Sequence, residues 1–283
     1  MQLTIHHETV YSYPRPVVSS VNEVWLRPMS DGGQRCVSFQ LTTVPASQPR
    51  PYTDYFGNTV YHFDVAEPHV QLTIIADAAV ETRDDDDSTA LLSDTSPHRP
   101  LSSEDQDRWL DWLTDTPLTA RGAGVVGIAD ELRAQHETSS TLVRAVAKRA
   151  HDSLRYEAGA TGVSTTAEAA LALGAGVCQD YTHLLLSICR TLGVPARYVS
   201  GYLSTGAGED QRQQSHAWAE VWLPAAGWIG FDATNDRLID GRYVRVAVGR
   251  DYSDVPPVRG AFSGPSDHGL DVSVYVLSDQ QQQ

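Results

Sequence analysis

The chain has 283 residues, 41% of them hydrophobic and 20% charged, with a formal net charge of −15. That length accommodates two ordinary domains, and that balance describes a packed globular chain and not a disordered one. The acidity argues against nucleic acid and anionic membranes as partners, since both need a basic footprint, and no apolar run approaches the roughly 20 residues that span a bilayer.

Met1-Gln2-Leu3-Thr4-Ile5-His6-His7 carries no basic stretch followed by an apolar core, so a cytoplasmic location is expected. The three cysteines, Cys36, Cys178 and Cys189, are odd in number and form no CxxC pair, which speaks against a disulfide framework and against a structural zinc site. No cofactor or metal is called for by any motif. His6 and His7 are neighbours in one predicted strand, point to opposite faces and make a poor metal pair.

Residues 1–82 read as a β domain. Gln2–His6, Val21–Leu26, Val37–Thr42 and Gln71–Ile75 are short, alternating and rich in β-branched residues. Tyr55–Tyr61 reads as a hairpin with Gly57-Asn58 at the positive-φ turn positions. Prolines at 14, 16, 28, 45, 49 and 51 belong at edges or in loops. A small antiparallel sandwich is the economical reading. Residues 83–103 read as an acidic linker, built on the self-repelling Asp84-Asp85-Asp86-Asp87 and the turn-rich Ser96-Pro97-His98-Arg99-Pro100.

Residues 104–279 read as the second domain, helical to about residue 192. Ser102 is a candidate N-cap ahead of Trp109, Leu110, Trp112 and Leu113. Leu142, Val143, Val146, Ala147 and Ala150 recur at helical spacing, and a short helix from Thr166 is stopped by Gly174. A last helix runs from Cys178 to about 192, before Gly193 and Pro195. Strands follow at 196–202, 217–223, 228–232, 243–248 and 271–276.

The chemistry gathers in three strings: Gly174-Ala175-Gly176-Val177-Cys178-Gln179-Asp180-Tyr181, Ser215-His216-Ala217-Trp218-Ala219-Glu220 and Phe231-Asp232-Ala233-Thr234-Asn235. The first delivers a cysteine to a helix N-terminus, where unsatisfied N–H groups and a partial positive charge favour a thiolate. His216 begins a strand and can act as its base. Asp232 ends the next strand and can orient the imidazole. The Cys178 backbone N–H is a natural donor to an oxyanion. Gln179, Tyr156 and Trp218 are weaker candidates for oxyanion or cleft-lining roles. Asp180 reads as a structural cap, and His183 as a packing or helix-surface residue.

Together these strings resemble the transglutaminase-like superfamily, with its papain-like Cys-His-Asp core. Gly249–Pro257 with Gly260 and Phe262 is similar to the tail segment of bacterial members, and the β-rich start resembles their N-terminal β domain. Ala233 stands where relatives usually carry proline. The resemblance implies an α+β fold: an antiparallel β-sandwich-like domain and a core of helices on an antiparallel sheet. It implies Cys178 as nucleophile, His216 as base and acid, and Asp232 as orienter, with a peptide or protein substrate. It also implies a functional link to ATP-grasp-like peptide ligases, beside which such proteins are often encoded. Hydrolysis of an amide or isopeptide bond is the first expectation, transamidation of protein glutamine the second, and a catalytically silent binding scaffold the third.

Overall fold

The computed structural model describes residues 1–83, 91, 94–99, 101–206, 215–264 and 267–278. The aspartate run of the expected linker and the terminal glutamines lie outside the described residues.

Six strands occupy the N-terminal region: β1 (Gln2–Val17), β2 (Ser19–Val24), β3 (Gln34–Val44), β4 (Arg50–Thr53), β5 (Thr59–Val65) and β6 (His69–Thr82). Leu3, Ile5, His7 and Thr9 of β1 alternate inward, as a half-buried strand requires. Pro14 and Pro16 fall where the β1–β6 register shifts between Ser12 and Val17, and Pro51 sits on edge strand β4. There a missing N–H costs no ladder bond. The expected hairpin forms between β4 and β5, with one correction: only Gly57 takes a positive φ, of 86°. Asn58 is buried instead, and its side chain joins Asp54 to the backbone of Val248.

Among the described residues six α-helices and two short strands follow: α1 (Ser103–Arg108), α2 (Leu110–Leu113), α3 (Ala123–Gln135), α4 (Ser139–Ser153), β7 (Arg155–Tyr156), α5 (Ala167–Leu173), β8 (Ala175–Gly176) and α6 (Cys178–Thr191). Ser102 caps α1 by accepting from the Asp105 N–H, and the helical run breaks at Trp109. Gly174 closes α5 in the left-handed conformation, φ 66°. The remaining strands are β9 (Ala196–Leu203), β10 (His216–Leu223), β11 (Gly227–Asp232), β12 (Arg237–Leu238), β13 (Tyr243–Gly249), β14 (Val258–Ser263) and β15 (Gly269–Ser278). Among the described residues no helix is long and apolar enough to cross a membrane.

The central sheet runs β12-β11-β10-β9-β13, antiparallel throughout. Helix α6 lies on its β9–β10 face and is enclosed from the other side by α3, α4 and α5. Consequently nearly the whole helix, Gln179 to Arg190, is buried. The small side chains Ala217 and Ala219 of β10 belong to this core, which lets the cysteine helix lie close to the sheet.

The sandwich consists of two four-stranded sheets, β15-β1-β6-β3 and β14-β2-β5-β4. Here the expected boundaries need correction. The second domain was expected to extend through 279, yet β14 pairs with β2 from Val258↔Val24 onward and β15 pairs with β1 from Leu3↔Ser278 to Ser12↔Gly269. The chain leaves the core after β13 and returns to complete both sheets of the first domain. A shared hydrophobic core joins the units: Leu3, Ile5, Val60 and Val80 cluster with Leu142, Leu184 and Val246.

Candidate active site

Cys178 opens α6, and three features fix it there. The Asp180 carboxylate reaches back to accept the Val177 N–H at 2.8 Å and the Thr161 hydroxyl at 2.6 Å, closing the first turn. Burial pushes the Asp180 carboxyl up, against the pull of those donors. Gly176 is required because a Cβ there would collide with the Asp180 side chain. The parallel pair β7–β8 then sets Tyr156 against Gly176, two residues before the cysteine.

His216 is the first residue of β10 and Asp232 the last of β11, diagonal to it across the ladder. His216 Nε2 lies 2.7 Å from Asp232 Oδ2. That contact commits Nε2 and leaves Nδ1 for the cleft side, where Cys178 lines the same cleft and acts on the ring. Asp232 is held unusually firmly. Its Oδ1 accepts the backbone N–H of Thr234 (3.0 Å) and of Asn235 (3.2 Å), and its Oδ2 also accepts Asn235 Nδ2 (2.7 Å) and the Tyr243 hydroxyl (2.8 Å). Burial opposes both charges. Even so, the donors hold the Asp232 carboxyl below the usual carboxylate range, and Asp232 with Cys178 pushes His216 up to about 10.

The cysteine and histidine stand in a cleft of about 600 Å³ walled by Tyr156, Val163, Tyr198, Leu203, Tyr252 and Pro257. Among the described lining residues none is Asp, Glu, Lys or Arg. Tyr156 is 57% exposed at the rim, and burial together with the neighbouring Cys178 raises its hydroxyl above the ordinary range. Gln179 also lines the cleft, with its amide tied to the Val163 carbonyl at 3.2 Å. Trp218 does not. It is 1% exposed, and its ring lies behind His216, with centroids 6.3 Å apart, and meets Tyr243 edge-on at 5.4 Å. An alternating strand puts residues 216 and 218 on one face, but only the first reaches the mouth. Trp218 therefore supports the imidazole from behind and is corrected from cleft wall to backing.

His183 is completely buried, accepts the Tyr252 N–H through Nε2 at 3.2 Å and packs on Tyr198. It is a packing residue away from the helix surface. Cys189 is buried and Cys36 half-exposed, both free thiols. Among the described residues no group of three His, Cys, Asp or Glu side chains could hold a metal ion. Sequence reasoning missed Tyr243, Asn235, Tyr198 and Tyr252. Asn235 carried a signal, since an Asn three residues after a strand-ending Asp can fold back on it.

A cysteine at a helix N-terminus, sharing a cleft with a histidine that is braced by a carboxylate on the adjoining strand, is an arrangement of the papain-like class. The family models agree with that class: residues 126–233 match the transglutaminase-like superfamily and residues 3–81 the bacterial transglutaminase-like N-terminal region. An uncharacterized protein of Mycobacterium leprae is 36% identical over 279 residues, covering 97% of this chain and 98% of that one. One from Mycobacterium tuberculosis is 34% identical over 300 residues, 96% of this chain and 91% of its own. The protein-glutamine gamma-glutamyltransferase of Pseudomonas aeruginosa is 33% identical over 116 residues, which cover 38% of this chain and 17% of the relative. The solved structure of a proposed cysteine protease from Cytophaga hutchinsonii has a TM-score of 0.78 at 22% identity, over 99% of this chain and 91% of that one; this is a likeness of fold. The chain belongs to the transglutaminase-like superfamily, in the arrangement with a bacterial N-terminal β domain.

Proposed function

We propose that this protein is a cysteine-dependent acyl-transfer enzyme that opens an amide or isopeptide bond of a peptide substrate through a thioester on Cys178, with water as the resolving nucleophile. The observation that carries this reading is the arrangement of Cys178, His216 and Asp232 side by side, with the first two at the wall of one cleft.

The thiolate attacks the amide carbon, and the oxygen that becomes anionic is received by the Cys178 backbone N–H, one of the first-turn groups with no intrahelical acceptor. His216 carries a proton on Nδ1 and gives it to the departing nitrogen, which leaves as the amine. His216 Nδ1, now unprotonated, takes a proton from a water molecule as that water attacks the thioester, and the acid leaves with the thiolate restored. Asp232 remains ionised and keeps Nε2 protonated in both steps. Water is favoured over an amine acceptor because excluding water from an acyl-enzyme requires a specialised second site.

The likeness of the core to a protein-glutamine gamma-glutamyltransferase supports transamidation as the second reading. Incubation with a library of peptide amides, with and without a fluorescent primary amine, separates the two. Release of free acid, lost in Cys178→Ala, is expected. Incorporation of the amine in place of acid would convert the assignment to transamidase. The absence of any acyl-enzyme by mass spectrometry across peptide, isopeptide and glutamine donors would overturn both.

A further inference from the structure

One oxygen of the site carries more donors than a catalytic pair needs. Asp232 Oδ2 accepts His216 Nε2 at 2.7 Å, Asn235 Nδ2 at 2.7 Å and the Tyr243 hydroxyl at 2.8 Å. The asparagine lies in the same turn as the aspartate and binds it locally. The tyrosine comes from β13, on the other side of β9 and β10 in the sheet, and is 4% exposed. Its ring already packs on Trp218 at 5.4 Å and lies 6.1 Å from His216. Phenylalanine would satisfy that packing, so the hydroxyl has a separate purpose.

We propose that Tyr243 is a positioning residue whose hydroxyl competes with His216 for Asp232 Oδ2 and so limits how tightly the carboxylate retains the imidazole proton. The proposal rests on the acyl-transfer reading, which asks two opposed things of His216. Its Nδ1 must hold a proton until the amine departs and must be free of it when water is activated. A buried carboxylate bonded to imidazole alone favours the charged ring too strongly for the second step. Each further donor on Oδ2 stabilises the carboxylate by itself and leaves less of its charge to bind the imidazolium. Tyr243 cannot supply a proton of its own, because burial and Asp232 raise its hydroxyl far above the ordinary range. Among the described residues, the titratable groups facing His216 are Cys178 from α6, Asp232 from β11 and Tyr243 from β13.

The strand that presents Tyr243 is itself fixed from outside the core. β13 is the edge of the central sheet, and two residues beyond Tyr243 the side-chain amide of Gln34 on β3 accepts the Arg245 N–H at 2.8 Å and donates to the Arg245 carbonyl at 2.7 Å. Thr82 at the end of β6 donates to the Gly241 carbonyl at 2.5 Å. The hydroxyl is thus aimed by a strand that the N-terminal sandwich holds in place.

The test is a 15N NMR titration of the His216 ring in the Cys178→Ala protein, where no thiolate complicates the reading. Adding Tyr243→Phe is expected to raise the imidazole's proton affinity roughly tenfold, and the rise should vanish when Asp232→Asn is also present. An unchanged midpoint in folded Tyr243→Phe protein would reduce the tyrosine to packing and overturn the proposal. The unmutated protein offers a second measurement: the Tyr243 hydroxyl proton should resonate downfield and shift in step with the His216 titration, and a resonance indifferent to that titration would equally overturn it. None of these readouts uses substrate, so failure of the acyl-transfer reading, seen as absence of any acyl-enzyme, is distinguishable from failure of this one.

Discussion

Gln34 and Arg245 lie 211 residues apart in sequence, yet the side-chain amide of one replaces a missing strand for the other. Gln34 Oε1 takes the Arg245 N–H and Gln34 Nε2 gives to the Arg245 carbonyl, the pair of bonds that a neighbouring strand would have made. The same Nε2 reaches the Met29 carbonyl at 2.8 Å. Because Gln34 is 7% exposed, nothing in solvent substitutes for it. Gln34→Ala should therefore cost about 2–4 kcal/mol in urea unfolding, the penalty of stranding the Arg245 N–H and the Met29 carbonyl, while the Arg245 carbonyl keeps the Met29 N–H at 3.0 Å. Gln34→Glu can still accept from the N–H but cannot donate, and should cost an intermediate amount or more. A Gln34→Ala protein as stable as the wild type would show the clamp to be incidental.

The contact between His216 and Cys178 predicts reactivity. With His216 pushed up to about 10, the imidazole remains a cation through neutral pH and sets its positive charge beside the Cys178 sulfur. Iodoacetamide should label Cys178 at pH 6 about tenfold faster or more in the wild type than in His216→Ala, with the two rates converging above pH 10 as the wild-type imidazole loses its proton. Equal rates at pH 6 would mean that the two residues do not act as a pair in the free protein.

The same titration predicts a dependence of stability on alkaline pH. The folded-state value of His216 is raised above the unfolded 6.5, so its stabilising contribution is complete below about 6.5 and is lost as pH rises toward about 10. Asp232 has the opposite sign: its folded value is depressed, so its contribution is present above the ordinary carboxylate range and fades as pH falls through the lowered value. Between pH 7 and 10 the wild type should lose on the order of a few kcal/mol that His216→Ala, having no such group, does not lose. Parallel melting curves against pH for the two proteins would contradict the buried ion pair.

The places of the three candidate residues were legible because each is announced by its own neighbourhood: a glycine turn before Cys178 at a helix start, a strand start at His216 and a strand end at Asp232. Most of the longer strands and helices were legible for the same local reason, whereas β14 was not read as a strand. α3 was covered only as part of a helical region, for although Val125, Ile128, Ala129 and Leu132 form a buried stripe, Gly122, Gly124 and Gly127 dilute the pattern. What the sequence withheld depends on pairing at long range. Nothing in Val258–Ser263 or Gly269–Ser278 says that their ladders are made with β2 and β1, since alternation assigns a face and not a partner. Tyr243 is likewise an ordinary inward strand residue until β13 is placed across the sheet from Asp232.

Gly201 gives the most exacting test of how closely the site is packed. It sits on β9 directly opposite His216 on one side and opposite Arg245 on the other. A Cβ there would run into the Val244 carbonyl oxygen and the Trp218 ring at Cη2 and Cζ3. Both must shift: the carbonyl cannot move without disturbing the β13 ladder, and the ring that gives way is Trp218, behind His216. Gly201→Ala should destabilise the fold by about 3 kcal/mol and slow Cys178 alkylation at pH 6, because the displaced ring no longer supports the imidazole. Gly162→Ala is the matched control, since no atom lies within 4 Å of its added carbon, and it should change stability by no more than about 0.5 kcal/mol. If Gly201→Ala were as stable and as reactive as Gly162→Ala, Trp218 would have room to spare and could not be the backing that fixes His216.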